Sequence, residues 1–198
     1  MSKLNPSFYL GADVVSIARL LLGKKLCTFI NNNLTTGIIT ETEAYEGITD
    51  KACHAYGNKF TNRTSTMYQS GGICYIYLCY GIHHLVNVVT NVEGIPHVVL
   101  IRSVKPTDGI ETMLIRRNKT VVDKTLTSGP GSMSKALGFS TSLNGSSLSG
   151  YTTWIETAED VDDADIIAAP RIGVAYAQEH ALWPYRFYLK NEIWVSKK

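Results

Sequence analysis

Nowhere in the 198 residues does an apolar run approach the roughly 20 needed to cross a bilayer as a helix, so no membrane partner is expected. The opening Met1-Ser2-Lys3-Leu4-Asn5-Pro6 lacks an apolar stretch and a small-residue cleavage site, so no secretory leader is expected and an intracellular location is. Cysteine is sparse. Cys27, Cys53, Cys74 and Cys79 include no C-x-x-C pair, and the histidines lack zinc-finger spacing. No metal site is expected, and the four thiols should be free and mostly packed in the core. Walker A and dinucleotide fingerprints are absent, and no cofactor is expected. Neither a solenoid repeat nor a Ser/His/Asp order stands out.

What is present suffices for one domain over residues 1–198. The sequence is 44% hydrophobic with a net charge of +2, which excludes global disorder and supplies a sizeable core. Its charge is unevenly spread. Glu156, Glu159, Asp160, Asp162, Asp163 and Asp165 place six acids and no base within ten positions, leaving 19 bases against 11 acids elsewhere. A mildly basic body with one acidic corner suits a polyanion bound on one face, and equally suits an ordinary solubilising cluster.

Residues 13–22 read as a helix, with Val14, Ile17, Ala18, Leu21 and Leu22 on one face and Gly23 as a stop. Residues 25–30 and 34–43 read as strands joined by a tight turn at Asn31-Asn32-Asn33. A short helix is expected over 49–55, then a long connection over 56–72. Residues 73–80, 85–90 and 98–104 read as an antiparallel meander. A helix through Arg117 should start at Asp108 as N-cap, and a second should follow Ser128-Gly129-Pro130-Gly131 and end at Gly138. Short strands are expected at 151–156, 172–175, 186–189 and 193–195. The fold class is α+β: a mainly antiparallel β-sheet with flanking helices and a protruding β-hairpin.

Glu41 and Glu43 stand two apart near a predicted strand end, where i and i+2 share a face unless the strand bends. The pair could be solvated, could supply one carboxylate as general base toward water, or could be the two acids of a glycosidase. Arg102 ends the apolar run Val98-Val99-Leu100-Ile101, needs a partner, and has Glu43 as the obvious one. Tyr75 and Tyr77 share a strand face on which core packing is the ordinary role. Tyr80, beside Gly81 at the expected hairpin tip, is less easily core and is a candidate wedge. With Tyr45 and His54 these rings could stack on a planar base, though His54 could also be a general acid, a metal ligand or a structural histidine. Gly129-Pro130-Gly131 before a helix could face a phosphate.

These residues resemble the alkyladenine (3-methyladenine) DNA glycosylases of the human alkyladenine type. The resemblance is carried by Glu41-Thr42-Glu43-Ala44-Tyr45, Ala52-Cys53-His54-Ala55, Tyr75-Ile76-Tyr77-Leu78-Cys79-Tyr80-Gly81 and Asn87-Val88. It continues through Leu100-Ile101-Arg102, Gly129-Pro130-Gly131, Arg171-Ile172-Gly173-Val174 and Arg186-Phe187-Tyr188 to Trp194-Val195-Ser196. It implies a monomeric, monofunctional base-excision-repair enzyme acting on double-stranded DNA that contains damaged purines. On matching positions it implies that Glu43 activates water and Arg102 helps hold it. Tyr45, His54 and Tyr77 would wall the flipped base, Asn87 would disfavour the 2-amino group of guanine, and Tyr80 would fill the vacated place in the duplex. Thr61-Asn62-Arg63-Thr64 departs from the family's usual Thr-Pro-Arg-Asn, which bears on loop rigidity and substrate range. Two other readings remain open: a catalytically idle lesion-binding protein, and a carbohydrate hydrolase using Glu41 with Glu43.

Overall fold

The computed structural model describes residues 2–158 and 160–197. The helix Val14–Leu20 (α1) is capped by Asp13, whose carboxylate accepts from the Val15 and Ser16 amides. Strands Lys25–Ile30 (β1) and Asn33–Tyr45 (β2) form a hairpin whose two loop residues, Asn31 and Asn32, have φ of 51° and 60°. That double left-handed geometry is the turn whose twist matches paired strands, and asparagine tolerates it.

Cys74–Cys79 (β3), His83–Thr90 (β4) and His97–Pro106 (β5) form the expected antiparallel meander. Helices Ile110–Arg117 (α2) and Pro130–Leu137 (α3) follow, then the short strands Thr153–Glu156 (β6), Ile166–Ala169 (β7) and Arg186–Leu189 (β8). The sheet order is β3-β4-β5-β2-β1-β6, with β8 pairing both β2 and β7. The long β2 changes partner along one edge: residues 33–38 pair with β1 and residues 41–43 with β8. Its register against β5 shifts on both sides of Glu41. Such irregularities bend a strand and commonly sit beside functional sites.

Strand alternation divides the sheet's side chains between two tasks. Ala44, Ile76, Val86, Val88, Val99 and Ile101 join the main core, packed with Leu21, Met113, Met133 and Leu137 of the helical layer. Their neighbours Glu43, Tyr45, Tyr75, Tyr77, Asn87, Leu100 and Arg102 face the other way. A second, smaller core of Cys53, Ala55, Met67, Tyr75, Val89 and Val98 backs Tyr45 and Tyr77 there. The site therefore stands on the rigid middle of a sheet, with a packed layer behind it.

Several local expectations are corrected. Residues 49–55 are turns, not a helix. The Asp50 carboxylate accepts from the Ala52 amide at 2.9 Å and from Arg171 Nη2 at 2.9 Å, so its local hydrogen bonds compete with helix formation. Asp108 does not cap α2. It pairs with Lys25 at 2.8 Å, and Gly109 holds the cap position at φ 74°. A Cβ on Gly109 would lie 2.1 Å from the Leu34 carbonyl oxygen, so only glycine fits. Residues 172–175 and 193–195 are not strands. The first turns at Gly173 (φ 79°), and the second is tied to β2 through Thr40 Oγ1, which donates to the Trp194 carbonyl at 2.5 Å. Strand β7 was not anticipated, because it starts directly after the acidic run.

Of that run, Asp160 pairs with Lys24 and Asp163 with Arg19, while Glu159 lies outside the described residues. All four cysteines are free, and Cys27, Cys53 and Cys74 are buried. Among the described residues no helix is long and apolar enough to cross a membrane.

Candidate active site

Glu43 is 0% exposed as a residue, yet it forms part of the wall of an open cleft of about 580 Å³. Three donors converge on it. Arg102 Nη1 lies 3.1 Å from Oε1, the Ile172 amide donates to Oε1 at 2.8 Å, and the Tyr45 hydroxyl donates to Oε2 at 2.8 Å. Burial, and then the Glu43 charge, push the Tyr45 phenol well above its ordinary range, so that hydroxyl keeps its proton and remains a donor. The solvated-acid reading of Glu43 is therefore overturned: this carboxylate is oriented from three sides.

Glu41 is also 0% exposed, but it has no free capacity toward the cleft. Its oxygens accept from Arg102 Nε (3.1 Å), Arg186 Nη1 (2.9 Å), Ser103 Oγ (2.9 Å), the Ser196 amide (2.7 Å) and Ser196 Oγ (2.9 Å). Burial alone would raise its pKa. The Arg102 charge and the Ser196 and Arg186 hydrogen bonds outweigh burial and hold it below the usual carboxylate range. Arg102 thus spans both carboxylates, and Glu43 is only one of its two partners. Five donors on its two oxygens leave Glu41 unsuited to be the second acid of a glycosidase.

Tyr45 is backed by a cation. The Arg171 guanidinium lies 4.8 Å from its ring centroid and forks onto the buried Asp50. His54 and Tyr77 meet edge to face with centroids 4.7 Å apart. His54 Nδ1 is 3.0 Å from the Tyr75 hydroxyl, and Nε2 is 3.2 Å from Arg63 Nη2. Arginine can only donate, so Nε2 accepts and Nδ1 carries the proton. Burial, and then the Arg63 charge, lower the His54 pKa to about 4.

His54 is therefore expected to stay neutral throughout the neutral range, with an NMR titration midpoint near 4. The sign follows from linkage: the unfolded chain takes up the proton first, so this contribution to stability is complete above about pH 6.5 and is lost as pH falls toward 4. A midpoint near 6.5 would contradict the geometry.

Asn87 is buried and donates to the Tyr75 carbonyl at 3.1 Å. It lines a narrow recess of about 40 Å³ behind the aromatic wall, together with Tyr45, His54 and Tyr77. Tyr80 and Gly81 form the hairpin tip with φ of 50° and 73°, closed by the Ile82 amide donating to the Cys79 carbonyl at 3.1 Å. Tyr80 is 92% exposed. A tyrosine in the left-handed region costs about 1–3 kcal/mol. Here a strained backbone carries an unburied ring at the rim of the cleft that Glu43 also lines.

The model for methylpurine-DNA glycosylase matches residues 7–193. A Bacillus cereus (strain AH187) protein with the provisional name 3-methyladenine DNA glycosylase is 44% identical over 202 residues, covering 98% of each chain. One from Chlamydia pneumoniae, similarly named, is 45% identical over 190 residues and 96% of each chain. The chain belongs to the methylpurine-DNA glycosylase family. It belongs thereby to the hydrolases of N-glycosyl bonds.

Within this glycosylase the structure adds residues that the sequence did not single out. Arg171 and Ile172 fix Tyr45 and Glu43. Their only signal was membership of the Arg171-Ile172-Gly173-Val174 motif. Tyr176 lines the cleft and anchors through its hydroxyl to the Ala52 carbonyl at 3.0 Å. Gly129, Pro130 and Gly131, read as a possible phosphate contact, also line the cleft, and the Gly129 amide is taken by Ser103 Oγ at 2.9 Å. The Thr61–Thr64 turn is tied reciprocally, amide to hydroxyl in both directions, at 2.9 and 3.2 Å. That pattern supplies a restraint where the usual proline is missing.

Proposed function

We propose that residues 1–198 act as one monomeric glycosylase domain. It extrudes an alkylated or deaminated purine from double-stranded DNA and hydrolyses its N-glycosidic bond with water. The substrates are 3-methyladenine, 7-methylguanine, hypoxanthine and ethenoadenine. The observation that carries the reading is Glu43, held by Arg102, Ile172 and Tyr45 at the wall of a cleft otherwise built from aromatic rings.

A duplex hides its glycosidic bonds, so the nucleotide must leave the stack at a cost of a few kcal/mol, least for a damaged pair. Tyr80 enters the vacated place and slows its return. Tyr45, His54 and Tyr77 receive the base, and stacking of about 1–3 kcal/mol per base tolerates several lesions. Asn87 limits the room for a 2-amino group. As the base departs, the sugar becomes oxocarbenium-like. Glu43 orients the attacking water, takes up its proton and stabilises the developing positive charge, while Arg102 helps hold the water. The products are the free base and an abasic sugar with a new C1′ hydroxyl; a cationic base departs neutral, whereas hypoxanthine or ethenoadenine takes up a proton from solvent as it departs, and no covalent enzyme intermediate forms.

Single-turnover release of free base from duplexes carrying one hypoxanthine or one 7-methylguanine tests this. Tight lesion binding without release from either would favour the idle lesion-binding reading instead. Tyr80→Gly separates the wedge from the chemistry. Relief of the left-handed strain should leave thermal stability equal or higher, while affinity for lesion duplex falls by about tenfold or more. Unchanged affinity would refute the wedge role.

A further inference from the structure

Among the described residues, the cleft contains one cation that no acid answers. Arg102 faces Glu41 and Glu43, Arg186 faces Glu41, and Arg171 is forked on Asp50. Among the described residues no carboxylate lies within 4.0 Å of Arg63. Its guanidinium instead lies over the Tyr77 ring, 4.7 Å from the centroid, and donates to His54 Nε2 at 3.2 Å. Its backbone is set by the reciprocal Thr61–Thr64 turn on either side of it. The neutral His54 can lend it no counter-charge. An otherwise exposed side chain thus fixes a permanent positive charge against the aromatic wall.

We propose that Arg63 is a specificity-determining residue: its charge on the Tyr77–His54 wall favours neutral damaged purines over purines made cationic by alkylation. The inference rests on the glycosylase reading above. Stacking on the rings is nearly indifferent to which base arrives, so the wall alone admits both kinds. A base bearing a full positive charge must approach a guanidinium that has no acid beside it, and like charges at such range disfavour one another. A neutral base such as hypoxanthine meets no such repulsion, and its carbonyl can accept from the guanidinium. Discrimination by a repulsive group is also economical, because a cationic base is the better leaving group and needs less help from binding.

The test is single-turnover base release from duplexes with one 7-methylguanine or one hypoxanthine, for wild type, Arg63→Gln and Arg63→Lys. Arg63→Gln is expected to raise the ratio of 7-methylguanine to hypoxanthine release by about tenfold. Arg63→Lys keeps the charge and should keep the ratio within about twofold of wild type. An unchanged ratio in Arg63→Gln overturns the proposal, as does a ratio that Lys shifts as far as Gln does. An equal loss for both lesions, with a salt dependence of binding shallower by about one ion, would make Arg63 a phosphate contact and overturn it too. Failure of the wild type to release either base would fell the glycosylase reading itself, and this inference with it.

Discussion

Glu43→Gln should lower single-turnover base release by about 10²–10⁴-fold while leaving affinity for an abasic-site duplex near wild type. The argument is geometric. Glutamine keeps the shape of the side chain and can still accept from the Tyr45 hydroxyl, but its amide cannot take a proton from water. With its oxygen toward Tyr45 it puts the NH₂ against both donors that meet at Oε1, Arg102 Nη1 and the Ile172 amide; turned over, it keeps those two and loses the Tyr45 donation. In the proposed mechanism the change acts on the reacting water and sugar, whereas the exposed Tyr80 at the hairpin tip is left intact. Loss of abasic-site binding in parallel with release would assign Glu43 to structure. Full release would remove it from the chemistry.

Glu41→Ala is expected to act on stability, lowering it by about 3–5 kcal/mol and the melting temperature by about 6–20 °C. Glu41 is the buried anion shared by Arg102 and Arg186, and it also receives Ser103 and both donors of Ser196. Its removal leaves two buried guanidiniums short of an acceptor and removes both Ser196 ties to β2, leaving the Thr40–Trp194 bond to hold residues 193–197 there. Calorimetry or a thermal melt reads the loss. Glu41→Gln, assayed where it is still folded, should keep most of its base release. Equal damage from Glu41→Gln and Glu43→Gln would revive the two-carboxylate hydrolase.

The two glutamates also show what was legible beforehand. Period-two alternation correctly put Glu41 and Glu43 on one face, and the apolar run before Arg102 correctly demanded a partner. Alternation could not tell a structural carboxylate from an oriented one. That difference is made by Ser196, Arg186 and Ile172, 129 to 155 residues away in sequence. The meander and a turn at Asn31-Asn32-Asn33 could be read because β-branched runs and left-handed residues are local signals, although Asn33 belongs to β2 and the loop is Asn31-Asn32 alone. The helix expected over 49–55 does not form because Asp50 is recruited by Arg171, a contact that no local propensity encodes. Tyr80 stood out for the opposite reason: a large ring beside glycine at a hairpin tip has no local explanation, and its φ of 50° adds a strain that the fold does not need.

The most direct measurement is single-turnover base release from a 7-methylguanine or hypoxanthine duplex, with borohydride added to a parallel reaction. The account predicts free base, an unbroken abasic strand and no protein–DNA adduct. A borohydride-trapped adduct would contradict attack by water, and absence of free base from both lesions would contradict the glycosylase mechanism as a whole.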